Sequence, residues 1–287
     1  MNPVTTRFAP SPTGRLHLGH AFSAIRAHDY ARARGGHFLL RIEDIDATRS
    51  RPDHVAAIID DVTWLGLNWD GDIVFQSRRT DVYAAALGRL RAAGLVYPCF
   101  CTRADIAREI AASGSAPHGP DGPTYPGTCR DLRVGAARLA RLHAWRLDMA
   151  KAIALTGPLS WHDETAGEQR ADPAAFGDVV LARKDAPSSY HLAVTIDDAA
   201  QGVSHVVRGR DLFAATHVHR LLQALLGLPT PRYVHHDLLT DAAGHRLAKR
   251  HGAPGLDQLR AAGVDGRALA DDLRAGRLPS GFSGGKD

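Results

Sequence analysis

The sequence predicts an α/β fold around a parallel sheet, and three observations carry that prediction. A short strand, a glycine-containing turn, a long Ala-rich helix and a second strand follow one another before residue 45. Strand, helix, strand in that order needs a crossover between parallel neighbours and not a hairpin. A second helical stretch over roughly 53–66 then places Val55, Ile58, Ile59, Val62 and Leu65 along one face. Third, residues 113–128 are rich in Gly, Pro and Ser, which marks an irregular excursion inside the fold.

The elements can be justified in order. Residues 4–10 (VTTRFAP) read as a strand that runs into a loop, because Pro10 and Pro12 cannot continue a ladder. The first helix runs from about Leu18 to Arg34, and Gly35-Gly36 stops it. HFLLRIED (37–44) is a buried-looking strand. Ser77 is placed to cap a third helix that ends at Gly94. LVYPCFC (95–101) reads as strand, and Thr102 with Asp105 forms a capping box for a short helix. Several short strands alternate with turns from about 145 to 208. A helix over about 213–227 ends at Gly227, before Pro229. After about 266 the tail is small, polar and Gly-rich, with a disordered end expected, and no internal repeat is visible.

Composition narrows the classes. At 287 residues the chain holds one large domain or two modest ones, and a 44% hydrophobic content supports a real core. No apolar run reaches membrane-spanning length and the N-terminus lacks a signal-peptide layout, so a cytoplasmic protein is expected. The net charge of +4 suits a polyanionic partner, although a genomic bias toward Arg gives the same balance: only Lys151, Lys184, Lys249 and Lys286 occur.

Two residue groups carry chemistry. His17 and His20 stand three apart with Gly19 between them and Gly14 before them, at the start of the first helix. A helix N-terminus offers free N–H groups and partial positive charge, which suits phosphate, and two imidazoles on one face add donors for developing charge. Two helical histidines alone are more often structural. Cys99, Cys101 and Cys129 fall in one short window, an odd count that speaks for a metal over a disulfide framework. Three thiolates leave one position of a tetrahedral zinc site open, and His118, Tyr125 and His143 all lie close enough in sequence to fill it. Three buried free thiols are the plain alternative.

Arg7–His20, RFAPSPTGRLHLGH, resembles the HIGH-motif region of class I aminoacyl-tRNA synthetases, specifically the glutamyl branch. The resemblance continues through RIEDIDATR (41–49), FQSRR (75–79), YPCFCT (97–102), YPGTCRDL (125–132), SSYHLAVTIDDAAQGVSHVVRGRDL (188–212) and HRLAKRHG (245–252). It covers roughly residues 4 to 255, in family order.

The resemblance implies a Rossmann-like sheet with helices on both faces and ATP at the carboxyl ends of its strands. Four regions follow: 1–96 and 146–230 as the halves of the catalytic domain, 97–145 as a zinc-bearing insertion, and 231–287 as a lysine-loop region with a short tail. It implies His17, Gly19, His20 and Lys249 on ATP, with Mg²⁺ accompanying the nucleotide and His17, His20 and Lys249 catalytic. Lys249 matches the second lysine of the family's mobile loop, while Arg246 replaces the first. For glutamate it implies Arg7 and Arg208 on carboxylates, Glu43 on the ammonium, Tyr190 in the pocket wall and Phe8, Ala9, Pro10 and Ser11 lining it. Asp211 is placed to orient Arg208 or the following helix. The family's CxC…YxxxC pattern implies one structural zinc on Cys99, Cys101, Tyr125 and Cys129.

Only 36 residues follow His251, so the long anticodon-binding region of the branch is not expected. That truncated plan resembles members that activate glutamate without tRNA and esterify the cyclopentene-diol of queuosine in the anticodon loop of tRNA(Asp). A minimal enzyme charging a tRNA 3′ end is the alternative. A regulatory paralogue without turnover and a ligase for a protein or small amine are further classes. A monomer is expected.

Overall fold

The computed structural model describes residues 3–112, 118–120, 122–241, 255–278 and 282–283. Thr5–Phe8 (β1) is buried along its whole length and pairs in parallel with His37–Ile42 (β2), in register from Thr5↔His37 to Phe8↔Leu40. Leu18–Arg32 (α1) makes the crossover. Gly35, at φ 62°, and Gly36, whose missing Cβ leaves room for the Val4 carbonyl, turn the chain back into β2. Pro52–Trp64 (α2) then leads to Val74–Phe75 (β3), again parallel to β2. Thr80–Ala92 (α3) and Val96–Cys99 (β4) follow.

The excursion comprises Arg103–Ala112 (α4), His118–Gly119 (β5), Gly122–Pro123 (β6), Ala136–Leu139 (α5) and Ala144–Leu147 (β7). β4 and β7 pair antiparallel, so the excursion leaves and returns through one ladder. Thr102 and Asp105 make the expected reciprocal cap: the Thr102 N–H donates to the carboxylate at 2.8 Å and the Asp105 N–H to the Thr102 hydroxyl at 3.1 Å.

The second half contains Met149–Thr156 (α6), Ser160–Asp163 (β8), Gly167–Arg170 (β9), Val180–Ala182 (β10), Tyr190–Ala200 (α7), His205–Gly209 (β11), Ala215–Leu226 (α8) and Arg232–His236 (β12). β11, β12 and β8 are parallel, and β9 adds an antiparallel edge. Thr240–Asp241 (β13), Leu256–Ala261 (α9), Gly266–Arg274 (α10) and Phe282–Ser283 (β14) complete the described chain.

The two parallel sheets meet at Ser204, one residue before β11. Its N–H donates to the Thr5 carbonyl at 3.0 Å, and its hydroxyl accepts from the Thr5 N–H at 2.8 Å. β1 and β11 therefore start side by side, and the strand succession becomes β3-β2-β1-β11-β12. The order reverses between β1 and β11, which opens a crevice at their carboxyl ends.

Three expectations are corrected. The stretch from 145 to 208 is not only strands and turns, because it holds α6 and α7. α7 is buried on nearly all sides and carries β-branched Val194, Thr195 and Ile196, so it lacks the polar face that marks a helix. Ser77 does not cap α3: its N–H and hydroxyl bind the Asp44 carboxylate at 2.8 and 2.7 Å, and Arg79 precedes the helix. The tail after 266 begins with α10, capped by Asp265, which buries Leu269, Ala270 and Leu273 in the core of α1, β1, β2 and α2. The helix before Pro229 ends as expected, with Gly227 left-handed at φ 64°.

Two adjacent buried aspartates of α7 tie the halves together. Asp197 accepts from Gln76 Nε2 at 2.8 Å, Arg79 Nε at 2.7 Å and the Tyr83 hydroxyl at 2.7 Å. Asp198 takes Arg7 Nε at 3.0 Å and Arg41 at 2.8 Å. Asp197→Ala strands three donors, one of them a charged guanidinium, and is expected to cost about 3–5 kcal/mol of stability. Urea unfolding checks this; a loss below about 1 kcal/mol would show that the hub is dispensable.

Candidate active site

A cavity of about 570 Å³ fills the crevice at the carboxyl ends of β1, β11 and β12, with the start of α1 as its floor. Arg7, Phe8, Ala9, Pro10 and Ser11 reach it from the end of β1 because Pro10 and Pro12 turn the chain off the sheet there. Glu43 enters from just beyond β2, Tyr190 from the first residue of α7, and Arg208 from β11. His17, Gly19 and His20 line it from α1. Every residue expected on glutamate or ATP therefore borders one space, except Lys249. That lysine, with Arg246, lies outside the described residues.

The two histidines form the helix cap itself. His17 is the residue before α1, and its Nδ1 accepts the Gly19 N–H at 3.1 Å. His20 Nδ1 accepts the His17 N–H at 3.2 Å, and the rings lie 3.8 Å apart. This is a capping box built from imidazoles in place of Ser and Glu. Because both Nδ1 atoms accept, each neutral ring carries its proton on Nε2. Each ring thus carries an Nε2–H donor beside the positive end of the helix, a setting that suits an anionic group.

The cavity's charges are set by burial. Arg7 gives Nε to Asp198, which Arg41 also binds, and the two guanidiniums hold that buried carboxylate below its ordinary range against the effect of desolvation. Glu43 sits beside Arg41 at 3.5 Å. Burial pushes its carboxyl up to about 7, even though Arg41 and Arg7 pull the other way. Arg208 is 5% exposed and is held by the Tyr190 hydroxyl at 3.2 Å, the Leu212 carbonyl at 3.0 Å, Thr216 Oγ1 at 2.7 Å and His235 Nε2 at 3.1 Å. Among the described residues no carboxylate lies within ion-pair distance of it. A buried cation with only neutral partners favours an anionic ligand.

The cysteines converge as their spacing suggested. The three sulfurs lie within 4.8 Å of one another, with Cys101 and Cys129 at 3.5 Å. The Tyr125 oxygen stands 3.5 Å from both Cys99 and Cys101 and accepts the Cys129 N–H at 2.9 Å. A tetrahedral zinc with the usual Zn–S and Zn–O lengths has ligand–ligand edges of about 3.5–3.8 Å, which the three 3.5 Å separations match. His143 instead binds the Arg141 carbonyl at 2.7 Å and lies tilted against Phe100 and edge-on to Trp145. The His118 side chain lies outside what is described.

Some of the site was missed from sequence. Asp198, Thr216, His219 and His235 touch the arginines, Asp163 touches His235, and none of the five lines the cavity's open space. The one available signal was the Asp197-Asp198 pair inside an apolar helix, since acids buried in such a stretch need cationic partners. Asp211 lines the cavity.

Residues 3–275 match the family described as tRNA synthetases class I (E and Q), catalytic domain. A glutamyl-Q tRNA(Asp) synthetase of Rhodobacter capsulatus is 54% identical over 91% of this chain and 96% of that one. One from Symbiobacterium thermophilum is 45% identical over 93% and 84%. Among solved structures, a glutamate-tRNA synthetase from Elizabethkingia anophelis is 28% identical with a TM-score of 0.73, over 88% of this chain. The chain spans about half the length, 53%, of that synthetase. With the family pattern running through its whole catalytic sheet, this chain belongs to the class I glutamyl- and glutaminyl-tRNA synthetase family, in the branch of the glutamyl-Q tRNA(Asp) synthetases.

Proposed function

We propose that this chain joins L-glutamate to ATP as glutamyl-adenylate without tRNA, then transfers the glutamyl group to the cyclopentene-diol of queuosine in tRNA(Asp). The observation that carries the first step is the company kept in one cavity: a buried guanidinium with neutral partners, a buried carboxyl and an imidazole-capped helix start. Arg208, with the Tyr190 hydroxyl, takes one carboxylate of glutamate, and Glu43 takes the ammonium. Arg7 draws the substrate toward the nucleotide. The substrate's α-carboxylate oxygen attacks the α-phosphorus and pyrophosphate leaves. His17 and His20 donate Nε2–H to phosphoryl oxygens as charge builds, and Lys249 balances the departing pyrophosphate. A diol hydroxyl then attacks the mixed anhydride and AMP departs. Positioning and charge do this work, with no covalent enzyme intermediate.

Support for the acceptor comes from the names of the relatives, which span nearly the same length as this chain. Cys99, Cys101, Tyr125 and Cys129 hold one zinc, which closes the 97–145 insertion. Its role is structural, because a closed four-donor set leaves no open position. Mg²⁺ travels with ATP.

Labelled glutamate is expected to attach to tRNA(Asp) carrying queuosine and not to the same tRNA lacking it. Labelling of tRNA(Glu) instead would make the chain a minimal 3′-end charging enzyme. For glutamate activation, KM should rise as pH falls below about 7, by up to about tenfold per unit. The sign follows from Glu43: its raised value means protonation near neutrality, and only the carboxylate pairs with an ammonium. A KM that is flat between about pH 6 and 8 would remove Glu43 from the ammonium site. Purified protein should hold one zinc per chain by elemental analysis, and Cys101→Ser should lose it and lower the melting temperature. Metal-free wild-type protein with a normal melt would end the zinc assignment.

A further inference from the structure

Arg208 does not reach the cavity alone. Behind it stands a chain of buried groups that touch no open space. Asp163 is fully buried, and its Oδ2 lies 2.7 Å from His235 Nδ1. His235, 1% exposed, turns its Nε2 to Arg208 Nε at 3.1 Å. The imidazole is boxed by aromatic rings, stacked on Tyr233 with Phe213 and Trp161 at its edges. A guanidinium Nε–H only donates, so His235 Nε2 must accept and the ring's one proton must sit on Nδ1. Asp163 is the group that enforces this, because its carboxylate only accepts. Burial, and then the Arg208 charge, keep the ring neutral, with its pKa down to about 3.

The two arginines of the site are thus held in opposite ways. Arg7 leans on a carboxylate, Asp198, which offsets its charge. Arg208 leans on neutral acceptors throughout: His235, Tyr190, Thr216, the Leu212 carbonyl and, at 3.5 Å, His219 Nδ1. An acid in the place of His235 would hold the guanidinium as firmly and would cancel the charge that tells a carboxylate from an amide.

We propose that Asp163 and His235 are positioning residues for Arg208, fixing its guanidinium through a neutral acceptor so that its full charge faces the substrate and glutamate is preferred to glutamine. This rests on the reading of the cavity as a glutamate site.

Asp163→Asn tests the tautomer directly. Oδ1 accepts the Thr165 and Ala166 N–H groups at 3.0 and 2.9 Å, so the amide oxygen belongs there. The new NH₂ then faces His235 Nδ1 and also the His235 backbone N–H, which Asp163 Oδ2 accepts at 3.2 Å; it drives the ring proton to Nε2 and sets it against the Arg208 Nε–H. His235→Ala removes the acceptor, and His235→Gln returns one.

ATP–pyrophosphate exchange on the full chain, with L-glutamate and L-glutamine in parallel, reads the result. Asp163→Asn and His235→Ala should raise KM for glutamate by about tenfold or more, the worth of a hydrogen bond to a charged group. The preference for glutamate over glutamine should fall by a similar factor, with KM for ATP within twofold. His235→Gln should recover most of that loss, which mere packing would not give. Glutamate KM within twofold of wild type in both Asp163→Asn and His235→Ala overturns the proposal, as does a His235→Gln no better than His235→Ala. Should His235→Ala not fold, Asp163→Asn keeps the ring and decides alone. A wild-type protein that exchanges with neither amino acid overturns the glutamate reading itself, and this proposal with it.

Discussion

Two neighbouring carboxylates on one buried helix hold this molecule in register. Asp197 and Asp198 sit next to each other on α7, yet they serve different parts of the first half. Asp197 gathers Gln76, Arg79 and Tyr83 around the start of α3. Asp198 gathers Arg7 from β1 and Arg41 from β2. Arg7 and Asp198 are 191 positions apart in the chain. Buried charges are costly unless paired, so this arrangement tolerates few alternatives. It docks α7 against the parallel sheet, and with α7 comes Tyr190, whose hydroxyl meets Arg208. The cavity's shape follows from that docking.

A second theme is the use of histidine as an acceptor. At His17 and His20 the ring Nδ1 atoms cap the helix, which leaves Nε2–H pointing away from the backbone. At His235 the direction is reversed, with the proton on Nδ1 and the lone pair on Nε2 turned to Arg208. One residue type thus supplies donors at the start of a helix and an acceptor where a cation needs support. The neighbouring group sets the tautomer in each case: a backbone N–H at the helix, a carboxylate at the arginine.

Much of the local structure was legible in the sequence, since local rules govern it. The Gly35-Gly36 stop, the Thr102–Asp105 box and the left-handed Gly227 all rest on a few consecutive residues, and all are present. The elements misread are those whose state depends on distant partners. α7 lacks a polar face because it is enclosed by the rest of the fold. Ser77 would suit a helix cap by its type, but Asp44, 33 positions away, takes it. α10 looks like a polar tail until Leu269 and Leu273 are seen against α1.

The same division runs through the site. By itself the sequence determined the class of sheet, the cysteine window with its tyrosine, and the residues that border the cavity, because strings such as RFAPSPTG and CFC carry chemistry in consecutive positions. Only the tertiary structure decided how those residues are charged and held. It placed Asp198 on Arg7, left Arg208 among neutral acceptors, and buried Glu43 deeply enough to raise its carboxyl. The physical reason is that charge state depends on desolvation and on neighbours within a few ångströms. Arg7 and Asp198 are 191 positions apart and Arg208 and His235 are 27 apart, and no spacing in the chain records which pairs will meet.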